Sequence, residues 1–308
     1  MSSNKNNVLI FGTGNIGYRH LQSILENRKI HKIYLYDKDK KISLDLAKKI
    51  KSKKIILITN KNNIFKKKYF LVILSNFATN RSNTLLKFWK IKNTKYILTE
   101  KIVENNIRNI NKMLHKIEEN TYVNLNIRLM TVFKKIKQLV QKEKKIQINL
   151  KGNNWNMTSN AIHYLDFVKW ITNFEIKKIS ILKLNKVFKS KRKPFIDFEG
   201  KIKCLYENSS TLFLENRYDL KKKNFVIMTL KSKNYNIKYK IESNQILING
   251  KLLKTRFNHV SKTTNIFLNQ ALDKSRTIQL PKLKDHIGDN LKYLQALKSQ
   301  NKILTNIT

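Results

Sequence analysis

Gly12-Thr13-Gly14-Asn15-Ile16-Gly17 places three glycines at the G-x-G-x-x-G spacing, in a chain with only seven glycines among 308 residues. Glycine at those positions lets backbone approach a polyphosphate closely, and the N–H groups opening the next helix point at the anion. The spacing means this only between a strand and a helix. The apolar run Val8 to Phe11 reads as a buried strand, and Tyr18 to Glu26 reads as the start of a helix. Gly12, Gly14, Asn15, Ile16 and Gly17 are therefore candidate cofactor residues. A carboxylate about 20 residues further on, ending a second strand, would hold the adenosine ribose. Asp37 stands 20 residues after Gly17 and ends the run Tyr34-Leu35-Tyr36. A carboxylate repels a 2′-phosphate, so NAD is expected, with NADP left open by Lys38 and Lys40 nearby.

The elements needed to position these residues follow from hydrophobic periodicity. Strand-like runs at 8–11, 32–36, 55–58, 69–75 and 95–99 alternate with helix-like stretches to about 27, at 42–50, 81–89 and 106–118. Alternating β and α units predict a parallel, doubly wound sheet, an α/β Rossmann domain over 1–121. Beyond it the pattern changes. Val123, Leu125 and Ile127 alternate as a strand would, and 132–141 reads as a helix. Alternation returns around Ile146 to Leu150, Leu212 to Leu214 and Tyr235 to Ile241, and Asn249-Gly250 is a hairpin turn signal. Residues 122–308 are expected to form an α+β domain with a mostly antiparallel sheet, closed by a helix over 285–300, and serving substrate binding and oligomerisation.

Composition narrows the function classes. No apolar run approaches the roughly 20 residues of a membrane span, and the polar N-terminus lacks an apolar signal segment. Cys204 is alone, so no disulfide framework or cysteine metal site is available, and a cytoplasmic setting is expected. Six scattered histidines show no metal-ligand spacing. Lys and Arg number 64 against 20 Asp and Glu. The same chain is rich in Asn and Ile and poor in Gly, Pro and Ala, as A/T-rich codon drift produces. The charge is spread along the whole length with no nucleic-acid-binding motif, so a nucleic-acid partner is not the leading expectation, and a charge-driven nucleic-acid binder is kept as a third reading.

Four segments together resemble the Gfo/Idh/MocA oxidoreductases. The first, Gly12 to Gly17 continued by Tyr18-Arg19-His20, is similar to their nucleotide-binding signature, especially in members acting on sugars and sugar nucleotides. Leu71 to Asn76 resembles their fourth strand, and Arg81 opens the next helix where many members have His and some Arg. Ile97-Leu98-Thr99-Glu100-Lys101 resembles the Glu-Lys(-Pro) motif, with Ile102 in place of proline. Trp155 to Asp166 resembles the segment supplying the catalytic histidine. The resemblance implies an NAD(P)-dependent oxidoreductase acting on a hydroxyl or keto carbon of a sugar or sugar nucleotide, possible work in surface-polysaccharide synthesis included. Ser75, Asn76 and Glu100 would contact cofactor. Lys101 would stabilise the developing alkoxide, and His163 would exchange the proton. Arg128, Asn160 and Asp166 are candidate substrate contacts, as is the pair Lys191-Arg192. Ser159 and Ala161 depart from the usual Asp-x-Gly-x-His pattern, which leaves a catalytically weak or inactive nucleotide-binding member as the alternative. The partners implied are a small-molecule substrate and a second copy docked through the C-terminal sheet.

Overall fold

The computed structural model describes residues 6–190, 194–253 and 262–308. Lys191 and Arg192 lie outside the described residues. The chain divides into two compact units, Met1–Leu129 with His259–Ile287, and Met130–Asn258 with Gly288–Thr308. A single boundary at residue 121 has no place for the later segment that returns to the first unit.

The first unit is built on a six-stranded parallel sheet in the order β3-β2-β1-β4-β5-β6. Its strands are β1 (Val8–Phe11), β2 (Ile33–Tyr36), β3 (Ile55–Leu57), β4 (Tyr69–Leu74), β5 (Thr94–Thr99) and β6 (Thr121–Val123). Helices α1 (Asn15–Ile24), α2 (Lys40–Ile50), α3 (Lys61–Phe65), α4 (Arg81–Ile91) and α5 (Ile107–Met113) connect them. Four of five crossovers match the periodicity. The five-residue α3 is too short to show a 3.6-residue pattern. Val8, Leu9 and Ile10 of β1 and Leu71 to Leu74 of β4 are fully buried, as expected for central strands covered on both faces. Asp39 caps α2 through a bond from the Lys41 N–H, and Asn106 caps α5 through the N–H groups of Arg108 and Asn109.

The strand expected over 123–127 is not formed. β6 ends at Val123, where the Asn124 N–H still reaches the Thr99 carbonyl, and Leu125 then turns back on Val123. Residues Asn126–Leu129 are a 3₁₀ turn. The alternation of Val123, Leu125 and Ile127 reflects three buried side chains in a turn rather than a pleat.

The second unit holds an eight-stranded sheet, order β14-β13-β12-β11-β7-β10-β9-β8. Helix α6 (Thr131–Val140) precedes β7 (Gln147–Asn153), and α7 (Met157–Thr172) follows it. The remaining strands are β8 (Ile176–Lys189), β9 (Ile196–Tyr206), β10 (Thr211–Arg217), β11 (Phe225–Lys231), β12 (Asn236–Lys240), β13 (Gln245–Ile248) and β14 (Lys251–Leu253). All pairs are antiparallel except β7 with β10. Asn249 and Gly250 carry φ of 49° and 81° in the two-residue turn joining β13 to β14, as their types predict. Helix α8 (Thr263–Leu272) belongs to the first unit, where Phe267 and Leu268 join the core beneath β1 and β4. Helix α9 (Leu283–Gln300) covers the segment expected to close the chain.

Candidate functional site

The glycine turn lies between β1 and α1 at the carboxyl edge of the parallel sheet, where doubly wound folds bind ligands. Each glycine has a separate reason. Gly12 has φ of +99°, and a Cβ there would meet the Asn76 backbone nitrogen at 2.5 Å. A Cβ on Gly17 would meet the Gly12 carbonyl oxygen at 2.0 Å. Gly14 is the N-cap of α1 and has open space where its Cβ would stand. Gly14 and Asn15 are exposed and Ile16 is half-buried, so the first N–H groups of α1 face an open approach. No side chain caps this helix. An anion here meets unsatisfied N–H groups and the positive end of the helix dipole. The residues fit a dinucleotide pyrophosphate.

Ser75 and Asn76 follow β4 against this turn. The Ser75 hydroxyl donates to the Gly12 carbonyl at 2.6 Å and so fixes the turn. Asp37 follows β2 on the other side. Its Oδ2 accepts the Thr13 N–H at 2.6 Å and the Thr13 hydroxyl at 3.2 Å, and its Oδ1 accepts the Asp39 N–H at 3.2 Å. Oδ2 already accepts two hydrogen bonds, while Oδ1 keeps lone-pair capacity for a further donor such as a ribose hydroxyl.

Glu100 and Lys101 follow β5 at the same edge. The Glu100 carboxylate is buried and accepts from His20 Nε2 at 3.0 Å and from the Asn124 amide. His20 Nδ1 lies 2.8 Å from the Thr264 hydroxyl of α8. Burial raises the Glu100 pKa, but His20, Asn124 and the Lys101 charge outweigh it and hold the carboxyl at about 2. Glu100 is thus turned into the protein, toward α1, while the half-buried Lys101 follows it. Arg81, at the start of α4 and 2 % exposed, donates through one guanidinium nitrogen to the carbonyls of Glu100 and Ile102, on either side of Lys101. Its other terminal nitrogen donates to the Asn76 carbonyl. Glu104 accepts from the Ser82 N–H and hydroxyl and from the N–H groups of Asn105 and Asn106. The Lys101–Ile102 peptide bond is cis. Arg128 is half-buried in the 3₁₀ turn after β6.

In the second unit Asn160, His163 and Asp166 are spaced by three on α7, one turn apart along one side. His163 and Asn160 are half-buried and Asp166 is 1 % exposed, so Asp166 does not face solvent. The Asn160 amide donates to the Trp155 carbonyl at 2.8 Å. The Ser159 hydroxyl donates to the Asn156 carbonyl at 3.3 Å. Asn156 at the N-cap has φ of 55° and offers no side-chain cap. Asp197 of β9 supplies it instead, accepting the N–H groups of Met157 and Thr158 at 3.0 Å each. The same fully buried carboxylate accepts the Phe198 N–H at 3.0 Å and the Asn216 amide at 3.2 Å. Burial pushes its pKa up to about 6, against those hydrogen bonds.

Periodicity and motif spacing missed Asn124, Thr264 and Asp197, and no local signal marks them: each acts on a partner far along the chain. His20 and Arg81 sat inside recognised segments without an assigned part. Among the described residues no three His, Cys, Asp or Glu side chains gather as a metal site, and no helix is long and apolar enough to cross a membrane.

No family model matches the chain, and no curated protein matches its sequence. Solved structures do. UDP-N-acetylglucosamine 3-dehydrogenase from Acidithiobacillus ferrooxidans superposes with a TM-score of 0.76 at 10% identity, covering 96% of this chain and 99% of that one. GenD2 from gentamicin A biosynthesis, in complex with NAD, also gives 0.76 at 10% identity, over 98% and 95%. A super-repressor mutant of Gal80p from Saccharomyces cerevisiae gives 0.72 at 11%, over 97% and 96%. At such identities what is shared is architecture, and the chain has the fold of the Gfo/Idh/MocA-type oxidoreductases.

Proposed function

We propose that the chain is an NAD-dependent oxidoreductase acting on a hydroxyl or keto carbon of a sugar or sugar nucleotide. The observation that carries this is the open N-terminus of α1 at Gly14, flanked by Asp37 after β2 and by Glu100-Lys101 after β5. Two solved structures with this fold support it, one a sugar-nucleotide dehydrogenase and one bound to NAD.

Gly14, Asn15 and Ile16 hold the pyrophosphate through backbone N–H groups. Asp37 would hold the adenosine ribose, and bound nicotinamide would supply hydride transfer. Lys101 donates a hydrogen bond to the substrate oxygen and stabilises negative charge on it. Glu100, held by His20 and Asn124, and Arg81, held on the carbonyls flanking Lys101, restrict where that ammonium can go. His163 moves the hydroxyl proton, and Asp197 fixes the helix that carries it. Arg128 and Asn160 are assigned to substrate, whereas Asp166, 1 % exposed, is too buried for that part. NADP remains the alternative cofactor because Lys38 and Lys40 follow Asp37 closely.

Titration with NADH and NADPH at physiological salt, read by energy transfer from the three tryptophans, tests the cofactor assignment. Micromolar NADH binding, tighter than NADPH, supports it, and binding of neither overturns it. Sugar nucleotides are then screened for NADH turnover. On an active substrate Lys101→Ala should lower kcat about 100-fold or more, and His163→Ala by a similar factor.

A second reading is a non-catalytic nucleotide-binding protein. It is favoured by Ser159, which cannot serve as a base and whose hydroxyl is spent on the Asn156 carbonyl. That reading expects NADH binding with no turnover on any sugar nucleotide.

A further inference from the structure

In the second unit's sheet, one face packs on helix α7 through β9 and β10, and on the other face the described side chains are mostly exposed or half-buried. The strand registers show what that open face contains. One row across the sheet runs Lys183, Lys201, Glu215, Lys151, Ile227 and Lys240, each opposite the next. The neighbouring row holds Lys203, Phe213, Thr229 and Lys238. The row beyond holds Lys178 and Lys231, on β8 and β11. Residues alternate with these positions in being buried, as Ile148, Leu150, Ile202, Leu214 and Met228 show. In these three rows eight lysines stand with one carboxylate. That carboxylate is already used: Glu215 lies 3.8 Å from Lys151, 3.4 Å from Lys201 and 3.1 Å from Arg217. Glu199, one row outward, accepts from the Asn185 amide at 3.1 Å.

We infer that this face docks single-stranded nucleic acid. A second copy placed face to face would set lysine rows against lysine rows, and like charges directly opposed are destabilising. A polyanion complements them. A planar membrane does not match an eight-stranded sheet, because roughly 20° of twist at each step turns its two ends well away from one plane. A flexible single strand follows such a surface. The face also offers rings among its cations, the combination that binds single strands without sequence preference. Phe213 is half-buried at its centre with the Lys203 ammonium 5.6 Å from the ring. Phe188 and Tyr218 stack at 3.8 Å, with the Lys186 ammonium 5.2 Å over Tyr218. At that end Tyr218 and the cations Lys183, Lys201, Arg217 and Lys222 line a groove of about 450 Å³ that Glu199, Glu215 and Asp219 also border. In the linear sequence these lysines look dispersed, because each strand contributes only alternate positions and the strands are spread from Gln147 to Lys240. This assignment does not rest on the proposed oxidoreductase activity.

The test uses the full chain, freed of copurified nucleic acid by high salt, and a fluorescein-labelled 20-mer of single-stranded oligo-uridine followed by anisotropy. One variant carries Lys151→Gln, Lys201→Gln, Lys203→Gln and Lys238→Gln. A control of equal charge carries Lys61→Gln, Lys66→Gln, Lys68→Gln and Lys90→Gln, all exposed on the first unit. The unmodified protein should bind at 150 mM salt. The face variant should bind about tenfold more weakly or worse, and its slope of log K on log salt should fall by about 3, near 0.7 for each phosphate no longer neutralised. The control should stay within about twofold, and saturating NADH should not compete. Ultraviolet crosslinking of the unmodified protein should place the RNA on peptides of β7 to β12, a readout that holds even if the face variant folds poorly. Equal weakening in both variants, no binding at 150 mM salt, or competition by NADH would overturn the inference. So would a stable homodimer that only the face variant dissociates, or equal face-dependent binding to phosphatidylserine vesicles.

Discussion

Gly14 and Gly17 stand three residues apart and should answer oppositely to the same substitution. An alanine at Gly17 would drive its Cβ to 2.0 Å from a backbone oxygen that cannot rotate away. Gly17→Ala should cost about 2 kcal/mol or more in a urea titration. Gly14→Ala meets nothing and has φ of −62°, so stability should change by less than about 0.5 kcal/mol. NADH affinity should nevertheless fall about tenfold, because the new methyl group stands where the pyrophosphate approaches. Equal stability loss in both would mean the turn is packed differently. Glu100 makes a pH prediction. Its folded pKa of about 2 lies below the ordinary 4.5, so its contribution is present above about pH 4.5 and is lost as pH falls toward 2. The difference corresponds to about 3 kcal/mol. Glu100→Gln should flatten the loss of stability between pH 5 and pH 2, measured by chemical denaturation at each pH. The glycine motif, Asp37 and the Glu-Lys pair were legible as residues, since each is local. That Glu100 faces His20 and Asn124 was not, because those partners lie 80 and 24 positions away.

At the scale of elements, α7 depends on a cap from another strand. Asp197 satisfies the first two N–H groups of a helix whose own N-cap supplies nothing. Asp197→Leu would leave four buried donors without their acceptor and should cost several kcal/mol or prevent folding. The conservative change is more informative. Because burial raises the Asp197 pKa from 3.8 to about 6, the folded state holds the proton more tightly. Its contribution to stability is full below about pH 4 and declines as pH rises to 6, by about 3 kcal/mol in total. Asp197→Asn cannot titrate and should remove that decline. Opposite signs for Asp197 and Glu100 predict a stability maximum between about pH 4 and 5 in their summed contribution. Periodicity made α6 and β4 readable, whereas β8, β9, β11 and α8 went unread although each is seven residues or longer. The false strand at 123–127 and the unread α3 are both short, and over five residues a turn, a strand and a helical turn leave the same apolar spacing.

Across the whole molecule, the lone thiol offers a reporter of unfolding. Cys204 in β9 is fully buried, and burial pushes its pKa up to about 12, partly offset by the Tyr206 hydroxyl. A thiol without thiolate character does not react. Native protein should therefore resist Ellman's reagent near neutral pH and react as the second unit's sheet opens, with the rate following denaturant. Prompt reaction in native buffer would show that β9 is accessible. The α/β and α+β architecture was determined by sequence alone, because alternating periods of 3.6 and 2 are properties of each segment and survive any partner. The cradle was also determined there, because its strand, glycines and helix are contiguous. Tertiary structure alone decided that residues 259–287 return to the first unit, that Arg81 and His20 hold the Glu-Lys loop, that Asp197 caps α7, and that dispersed lysines share one sheet face. Each of these is a contact between residues distant in the chain. Local preference carries no information about which distant groups will meet; burial and hydrogen-bond satisfaction choose them only once the elements have packed.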